Sequence, residues 1–461
     1  MRTVLSVDPF GAPDPATGLL ATLIRVERSP FAVPAAAIGQ PLALTAAGQP
    51  AWGAPDAVKQ RGIVVRDALR AHAGICQVLD SLAMAGPGQV QPLFVKLSQG
   101  DSEQITWEAL CDSNGKFLAL DKRWPVGRIA DPMSSSQRPA PVLRLPFKIM
   151  AIISAFGIKG QQKEWQFFEN AVRQARAGGL DVQLRLLVAD QATRAAIDAR
   201  IAAGDNWIEV SHVESTGARV VADIAAWDPN VVHFFCHGIV DTTDQYVELA
   251  TAADLVNPAA TCGSVTISAQ QLADMSTELT NPWLLALNCC SSGVPVEELQ
   301  SIAYRAVSAG FPASVAMLEP VDANDAHEFT RAFYLSFIQE LRRVANDLQN
   351  QLTTPFEWAQ ILFGARTAIV GLHANDAANY REWALPALYV RGVDPVKIER
   401  PAPVSNQDAA DFKLKARTAA EWAQSQYDLS DASRRAAIAL ALADVPKEFW
   451  PDPDGSFPSR P

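Results

Sequence analysis

Residues 231–238 (VVHFFCHG) and 282–293 (PWLLALNCCSSG) decide the architecture. Each is a short apolar run that reads as a buried strand, and each ends in side chains able to do chemistry. The first ends at His237 and Gly238, the second at Cys289 and Cys290 before a helical pattern. In a parallel α/β sheet, sites lie outside the carboxyl ends of the strands. A thiol between a strand end and a helix N-terminus gains thiolate character from the amide dipoles. An imidazole at a neighbouring strand end can take and return its proton. Gly238 lets a substrate approach the backbone closely, so its N–H can serve as an oxyanion donor together with the amide at the thiol. The residues alone leave a second reading open: His233 and Cys236 in the core, His237 at a strand cap, and Cys289 and Cys290 as small buried residues.

Outward from these two runs, strand and helix patterns alternate. Strands are expected at 148–154, 182–188, 207–210, 231–236, 265–267, 282–287, 313–318 and 385–390. Helices are expected at 162–177, stopped by Gly178 and Gly179, and at 191–203, 218–227, 268–278, 296–308 and 357–370. A long helix from about residue 323 places Phe329, Phe333, Phe337, Leu341, Val344 and Leu348 on one face. Such alternation implies parallel pairing with helices on both sheet faces. Upstream, strands are expected at 19–26, 90–97 and 117–120, and one or two helices at 57–82. The polar, proline-containing stretch 134–141 (SSSQRPAP) reads as a linker. Beyond residue 395 prolines accumulate around two helix candidates, 408–426 and 430–443. The expected organisation is an N-terminal α+β part (1–146), an α/β core (147–392) and a helical extension (393–461).

The chain has 461 residues, 49% apolar and 19% charged, which is enough to bury a core. Its net charge of −11 disfavours nucleic acid as the main ligand. No run of about 18 apolar residues predicts a membrane span, and the N-terminus lacks the apolar core of a secretory signal. Six cysteines without a C-x-x-C pair argue against zinc ribbons and disulfide frameworks, so a reducing cytoplasm is expected. His327-Glu328 begins like a zinc helix motif, but Arg331 stands at the second histidine position. Residues 157–163 lack the ending of a phosphate-binding loop. No cofactor or metal is expected.

Taken together, the motifs resemble the CHAT (caspase HetF-associated) family of the caspase–separase class of cysteine peptidases. The resemblance runs through 105–110 (ITWEAL), 114–130, 147–154, 233–238 (HFFCHG), 265–272, 287–293 (LNCCSSG), 306–325 and 383–391 (WALPALYVR). It implies a caspase-like three-layer α/β/α fold with a mostly parallel central sheet, the N-terminal part being its pseudo-caspase-like half. It implies a catalytic dyad of His237 and Cys290, with Gly238 at the oxyanion. Cys289 remains the rival for the nucleophile, although strand alternation places it on the face of Leu285 and Leu287. His233 reads as structural. Two positions depart from the family pattern: Cys236 replaces a Thr or Ser, and Glu319 replaces a Trp.

Asp325, Asp322 and Asp241 are candidate substrate-binding acids, Asp325 by similarity to separases for an Arg or Lys side chain. The competing reading makes Asp322 a helix N-cap and Asp325 a first-turn acid, with Asp241 and Asp244 as solvated loop acids. Trp107 and Glu108 read as a packing and positioning element. The function implied is a cysteine endopeptidase acting on a protein substrate, switched on by a protein partner or ligand in a bacterial defence or cell-death module. The alternative is a caspase-like scaffold without catalysis. No direct nucleic-acid or membrane partner is expected.

Overall fold

The computed structural model describes the chain except for residues 11–20, 34–38, 43, 45–47, 85, 87, 99, 132–138, 159, 241–243, 258, 290–300, 402–405, 426–440, 443–444 and 446–461. Two units are present, Met1–Arg400 and Pro401–Pro461. In the second, the helix Asn406–Ser425 carries Ala416 and Ala419, which cluster with Leu442 and Val445.

The strands of the first unit are β1 (Thr3–Phe10), β2 (Ala21–Arg28), β3 (Gly39–Leu42), β4 (Leu93–Leu97), β5 (Val126–Ala130), β6 (Phe147–Ile153), β7 (Val182–Val188) and β8 (Ile208–His212). They continue with β9 (Val231–Val240), β10 (Gln245–Leu249), β11 (Val265–Ser268), β12 (Leu284–Cys289), β13 (Ala313–Met317), β14 (Thr353–Phe356), β15 (Pro386–Arg391) and β16 (Val396–Glu399). Among the described residues one sheet runs β3-β2-β1-β4-β5-β15-β13-β12-β9-β6-β7-β8, with β10 and β11 attached beside β9. Most neighbours are parallel; the β1–β2, β2–β3, β13–β15, β9–β10 and β10–β11 pairs are antiparallel. The expected α/β fold with a mostly parallel central sheet and flanking helices is the fold observed.

The central strands are mostly apolar because both faces are covered. All residues of β12 and β13 are buried, as are the first six of β9. The helix Ala323–Asn350, about 42 Å long at 1.5 Å per residue, buries the six apolar residues read from its sequence. It packs against the helices Gln161–Ala177 and Trp358–Leu372. Phe337 stacks on Trp358 with centroids 5.7 Å apart, and Trp283 meets Phe147 and Phe356 edge-on. A second helical group comprises Gly217–Trp227, Ala269–Glu278 and Ile302–Ala309.

Several expectations shift. Residues 117–120 form a 3-10 turn at Leu118–Leu120 rather than a strand. The turn at Asn114 and Gly115 (φ 77°) sends the chain back so that Leu118 N–H donates to Leu110 O, and only one bridge, Cys111 to Phe117, forms. β1, β3, β5, β10, β14 and β16 are absent from the sequence reading. Buried Thr3 and Ser6 of β1, with Arg2 just before it, interrupt the apolar pattern. β15 does not extend the parallel series: it runs antiparallel to β13 and parallel to β5.

That reversal makes the sheet continuous from the upstream strands to the core. Arg128 of β5 locks the junction. Its Nε and Nη2 bind the two oxygens of Glu108 at 2.9 and 2.7 Å, and both residues are fully buried. Nη2 also donates to Ile105 O, and Nη1 donates to Glu103 O and to Tyr389 Oη of β15. All five guanidinium N–H groups therefore have acceptors, which a buried charge requires. Burial opposes the charge on Arg128, yet Glu108 more than reverses it and raises the pKa. Arg366 lies 3.8 Å from Glu108 and donates to Val126 O and Pro386 O, a second tie across the same seam. Glu108→Ala strands the Arg128 charge, with an expected stability loss of about 3–5 kcal/mol, read as a lower urea midpoint.

Candidate active site

The carboxyl ends of β6, β9, β12 and β13 share one sheet edge, because these strands are parallel and adjacent. His237 stands near the end of β9, half-buried, opposite Glu248 of β10. Its Nε2 lies 2.6 Å from the carbonyl of Phe156, in the connection after β6. A carbonyl only accepts, so Nε2 carries the proton and Nδ1 presents the lone pair. Gly238 follows, paired with Val247.

β12 and β9 run in register from Leu284–Val231 to Cys289–Cys236. The last described residue of β12 is thus level with the residue before His237. Cys289 is buried. Its Sγ lies 3.0 Å from Cys236 Sγ and 3.6 Å from Phe234 O. Cys290 and Asp241 lie outside the described residues. The chain resumes at Ser301, whose N–H and Oγ both bind the buried Glu103 carboxylate at 3.0 Å. Ser301 caps the helix Ile302–Ala309, and Tyr304 Oη of that helix donates to Leu97 O at 3.0 Å. The 290–300 segment is therefore bracketed by two buried anchors, Cys289 and Ser301.

His233, Phe235 and His237 share one face of β9 by alternation, and Asn288 lies level with Phe235. Beneath that face sits Glu164, fully buried on the helix Gln161–Ala177. Glu164 accepts from His233 Nε2 (3.2 Å), His327 Nδ1 (2.7 Å) and Thr330 Oγ1 (2.6 Å). Asn288 donates to Ala326 O and Thr330 Oγ1 at 2.9 and 3.0 Å. Phe235 stacks on His327, with centroids 5.1 Å apart. This network fixes the ends of β9 and β12 against the two helices. His233 is structural, as read from the sequence. Glu164 was missed, although a glutamate on the apolar face of Trp165, Phe168 and Val172 was a visible signal. The Phe156 carbonyl is backbone and carried none.

Asp322 is the N-cap of the helix Ala323–Asn350, its carboxylate accepting from Asn324 N–H at 2.8 Å. Asp325, in the first turn, is buried and accepts from His373 Nε2 at 2.7 Å. Asp244 pairs with Arg305 at 3.1 Å.

A CHAT domain family model matches residues 69–364, well over half of the chain. The chain belongs to the CHAT domain family. Among solved structures, this CHAT chain is similar to separase in the Saccharomyces cerevisiae separase–securin complex at 11% identity and TM-score 0.35. It covers 72% of this chain but only 17% of the separase chain. It is also similar to the Arg-specific cysteine proteinase gingipain R, at 11% identity and TM-score 0.39, covering 74% of this chain and 73% of that one. A complex of Porphyromonas gingivalis RgpB pro- and mature domains matches at 10% identity and TM-score 0.41, covering 72% and 71%. Curated proteins give no match.

Two buried carboxyls give this CHAT domain opposite pH signatures. Burial lifts the Glu103 carboxyl to about 7, against hydrogen bonds from Ser301 and the charge of Arg128. Between the ordinary carboxyl range and about 7 the folded state holds the extra proton, so this contribution to stability falls as pH rises through that window. Glu103→Gln removes the titration. From pH 5 to pH 8 the parent is expected to lose about 2.5 kcal/mol relative to the variant, read from urea midpoints at each pH.

For Glu164, burial opposes ionisation, but the hydrogen bonds from His233 and His327 outweigh it and hold the pKa below the usual range. Its stabilisation is present above the unfolded carboxyl pKa and is lost as pH falls through the folded one. Glu164→Gln is expected to cost about 3 kcal/mol at neutral pH, because an amide turns a donor toward groups that already donate. That difference should shrink toward pH 3 in parallel denaturation curves.

Proposed function

We propose that this chain is a cysteine endopeptidase, with His237 as general base and acid and Cys290 as nucleophile. The observation that carries the reading is the in-register pairing that ends at Cys289 and Cys236, with His237 one residue further along β9. The Nε2–H bond to Phe156 O orients the imidazole and supports it when charged. Cys289 is the poorer candidate, since its thiol is packed against Cys236 inside the core.

In this mechanism Nδ1 of His237 takes the Cys290 thiol proton. The thiolate attacks the scissile carbonyl, and the backbone N–H groups of Gly238 and Cys290 receive the oxyanion. Collapse forms a thioester as the imidazolium protonates the leaving amine. Water, deprotonated by His237, then releases the carboxylic acid and restores the thiol. Nothing in this scheme needs a cofactor or a metal.

Asp322 and Asp325 fit helix-start roles better than a substrate pocket, because their carboxylates are already engaged by Asn324 and His373. The wider proposal is a protein substrate cleaved in a bacterial defence or cell-death setting, with activity raised by a protein partner. Asp241, following Gly238 by three residues, remains the proposed acid at the substrate.

The test is labelling with an electrophilic peptidyl probe and turnover of a peptide library. Cys290→Ala is expected to abolish both. His237→Ala should slow turnover about 10²–10⁴-fold, the usual size of a lost general base. Cys289→Ala should retain labelling. Probe attached to Cys289, or undiminished cleavage by the first two variants, sinks the assignment.

A further inference from the structure

The edge that carries His237 also carries a cluster that the peptidase scheme does not use. Asp325 lies in the first turn of the helix that follows β13, and His373 caps the end of the helix Trp358–Leu372. Glu382 opens the 3-10 turn Glu382–Ala384 that leads into β15. One nitrogen or carboxylate oxygen from each lies within 4.8 Å of those from the other two. His373 Nε2 already holds Asp325 Oδ1 at 2.7 Å, and Tyr380 stacks on the imidazole with centroids 4.3 Å apart, fixing its plane.

Glu382 is the anomaly. Arg381 Nε approaches only its Oε1, at 3.9 Å, which is beyond hydrogen-bond range. Its Oε2 is buried and has no hydrogen-bond partner. Buried carboxylate oxygens without a donor are rare and costly. Two carboxylates therefore converge on a single imidazole, which has one proton to share here. Burial, with the charges of Glu382 and Asp322, raises the Asp325 pKa even against His373, as expected of an acid site short of positive charge.

We propose that Asp325, His373 and Glu382 bind a divalent transition-metal ion of the zinc class. One imidazole with two carboxylates suits zinc and its neighbours, whereas calcium and magnesium take oxygen alone. Zinc bonds of about 2.0–2.2 Å need only a modest contraction of the cluster, and three protein ligands leave a fourth position for water. On binding, the proton on His373 Nε2 passes to Nδ1 through solvent, Nε2 ligates the metal, and Asp325 exchanges a hydrogen bond for a metal bond. The ion would tie together the chain leaving β13, the end of the helix Trp358–Leu372 and the chain entering β15. The inference does not depend on the peptidase reading.

The experiment uses the full chain, free of any purification tag, stripped with chelator and titrated with Zn²⁺ by calorimetry and with Co²⁺ by visible absorption. The parent is expected to bind one Zn²⁺, to gain several degrees in thermal midpoint, and to show Co²⁺ d–d bands without thiolate charge transfer. Glu382→Gln and His373→Gln should each weaken Zn²⁺ at least tenfold, while His212→Gln, an exposed histidine elsewhere, should not. Absence of binding to the parent, unchanged affinity in both site variants, or a thiolate band on Co²⁺ would overturn the proposal. The Co²⁺ spectrum of the parent decides the ligand type even if a variant fails to fold.

Discussion

Arg128 carries a full charge on a fully buried side chain, and the molecule arranges an acceptor for every one of its five N–H groups. Glu108 supplies two, the carbonyls of Glu103 and Ile105 two more, and Tyr389 the fifth. Four of these come from the chain upstream of β5 and one from β15, near the end of the first unit. A buried ion is tolerated only when its geometry is complete, so the pair fixes β5 beside β15 and admits little slippage. The seam between the upstream strands and the core depends on that completeness. An apolar seam of equal volume could be as stable but would specify the register less sharply.

The same linkage reaches the candidate site. Glu103 gives its backbone carbonyl to Arg128 and its carboxylate to Ser301, where the described chain resumes after residue 300. One end of the cysteine-bearing segment is thus anchored through the upstream half, and the other through Cys289 against Cys236. The upstream half thus reaches the flank of the candidate site, at Ser301, while supplying neither member of the proposed dyad. Trp107 and Glu108, read from the sequence as packing and positioning residues, occupy that role: Trp107 is buried with Nε1 donating to Ser102 O, and Glu108 holds Arg128.

The two faces of β9 divide the labour. On one, Phe234 and Cys236 meet Cys289 in a close-packed sulfur contact. On the other, His233 and Phe235 sit on Glu164 and His327, and His237 continues that row to the sheet edge. Glu164 joins a helix from early in the core to one from late in it, and Asn288 ties β12 to the later helix. The imidazole at the edge therefore stands on a column in which Glu164 gathers donors from His233, His327 and Thr330.

Much of this was legible in the sequence. Val182–Val188 coincides with its expected span, and the six-residue apolar stripe of the long helix is wholly buried, because period-2 and period-3.6 patterns survive wherever one partner surface is apolar. His237 and Gly238 lie near the carboxyl end of β9 and Cys289 ends β12, as read, because strand–helix alternation makes these neighbours parallel. Tertiary structure alone decided the rest. β5 and β15 became neighbours because a buried arginine required partners some 260 residues apart in sequence. Asp325 became a partner of His373, and Glu164 the hub between two histidines, through contacts across elements that no local pattern encodes. The sequence by itself determined most strands and helices of the core and which of their ends carry reactive groups. Only the fold decided which charges meet, because the cost of burying a charge is met by whichever partner the packed chain brings within hydrogen-bond reach.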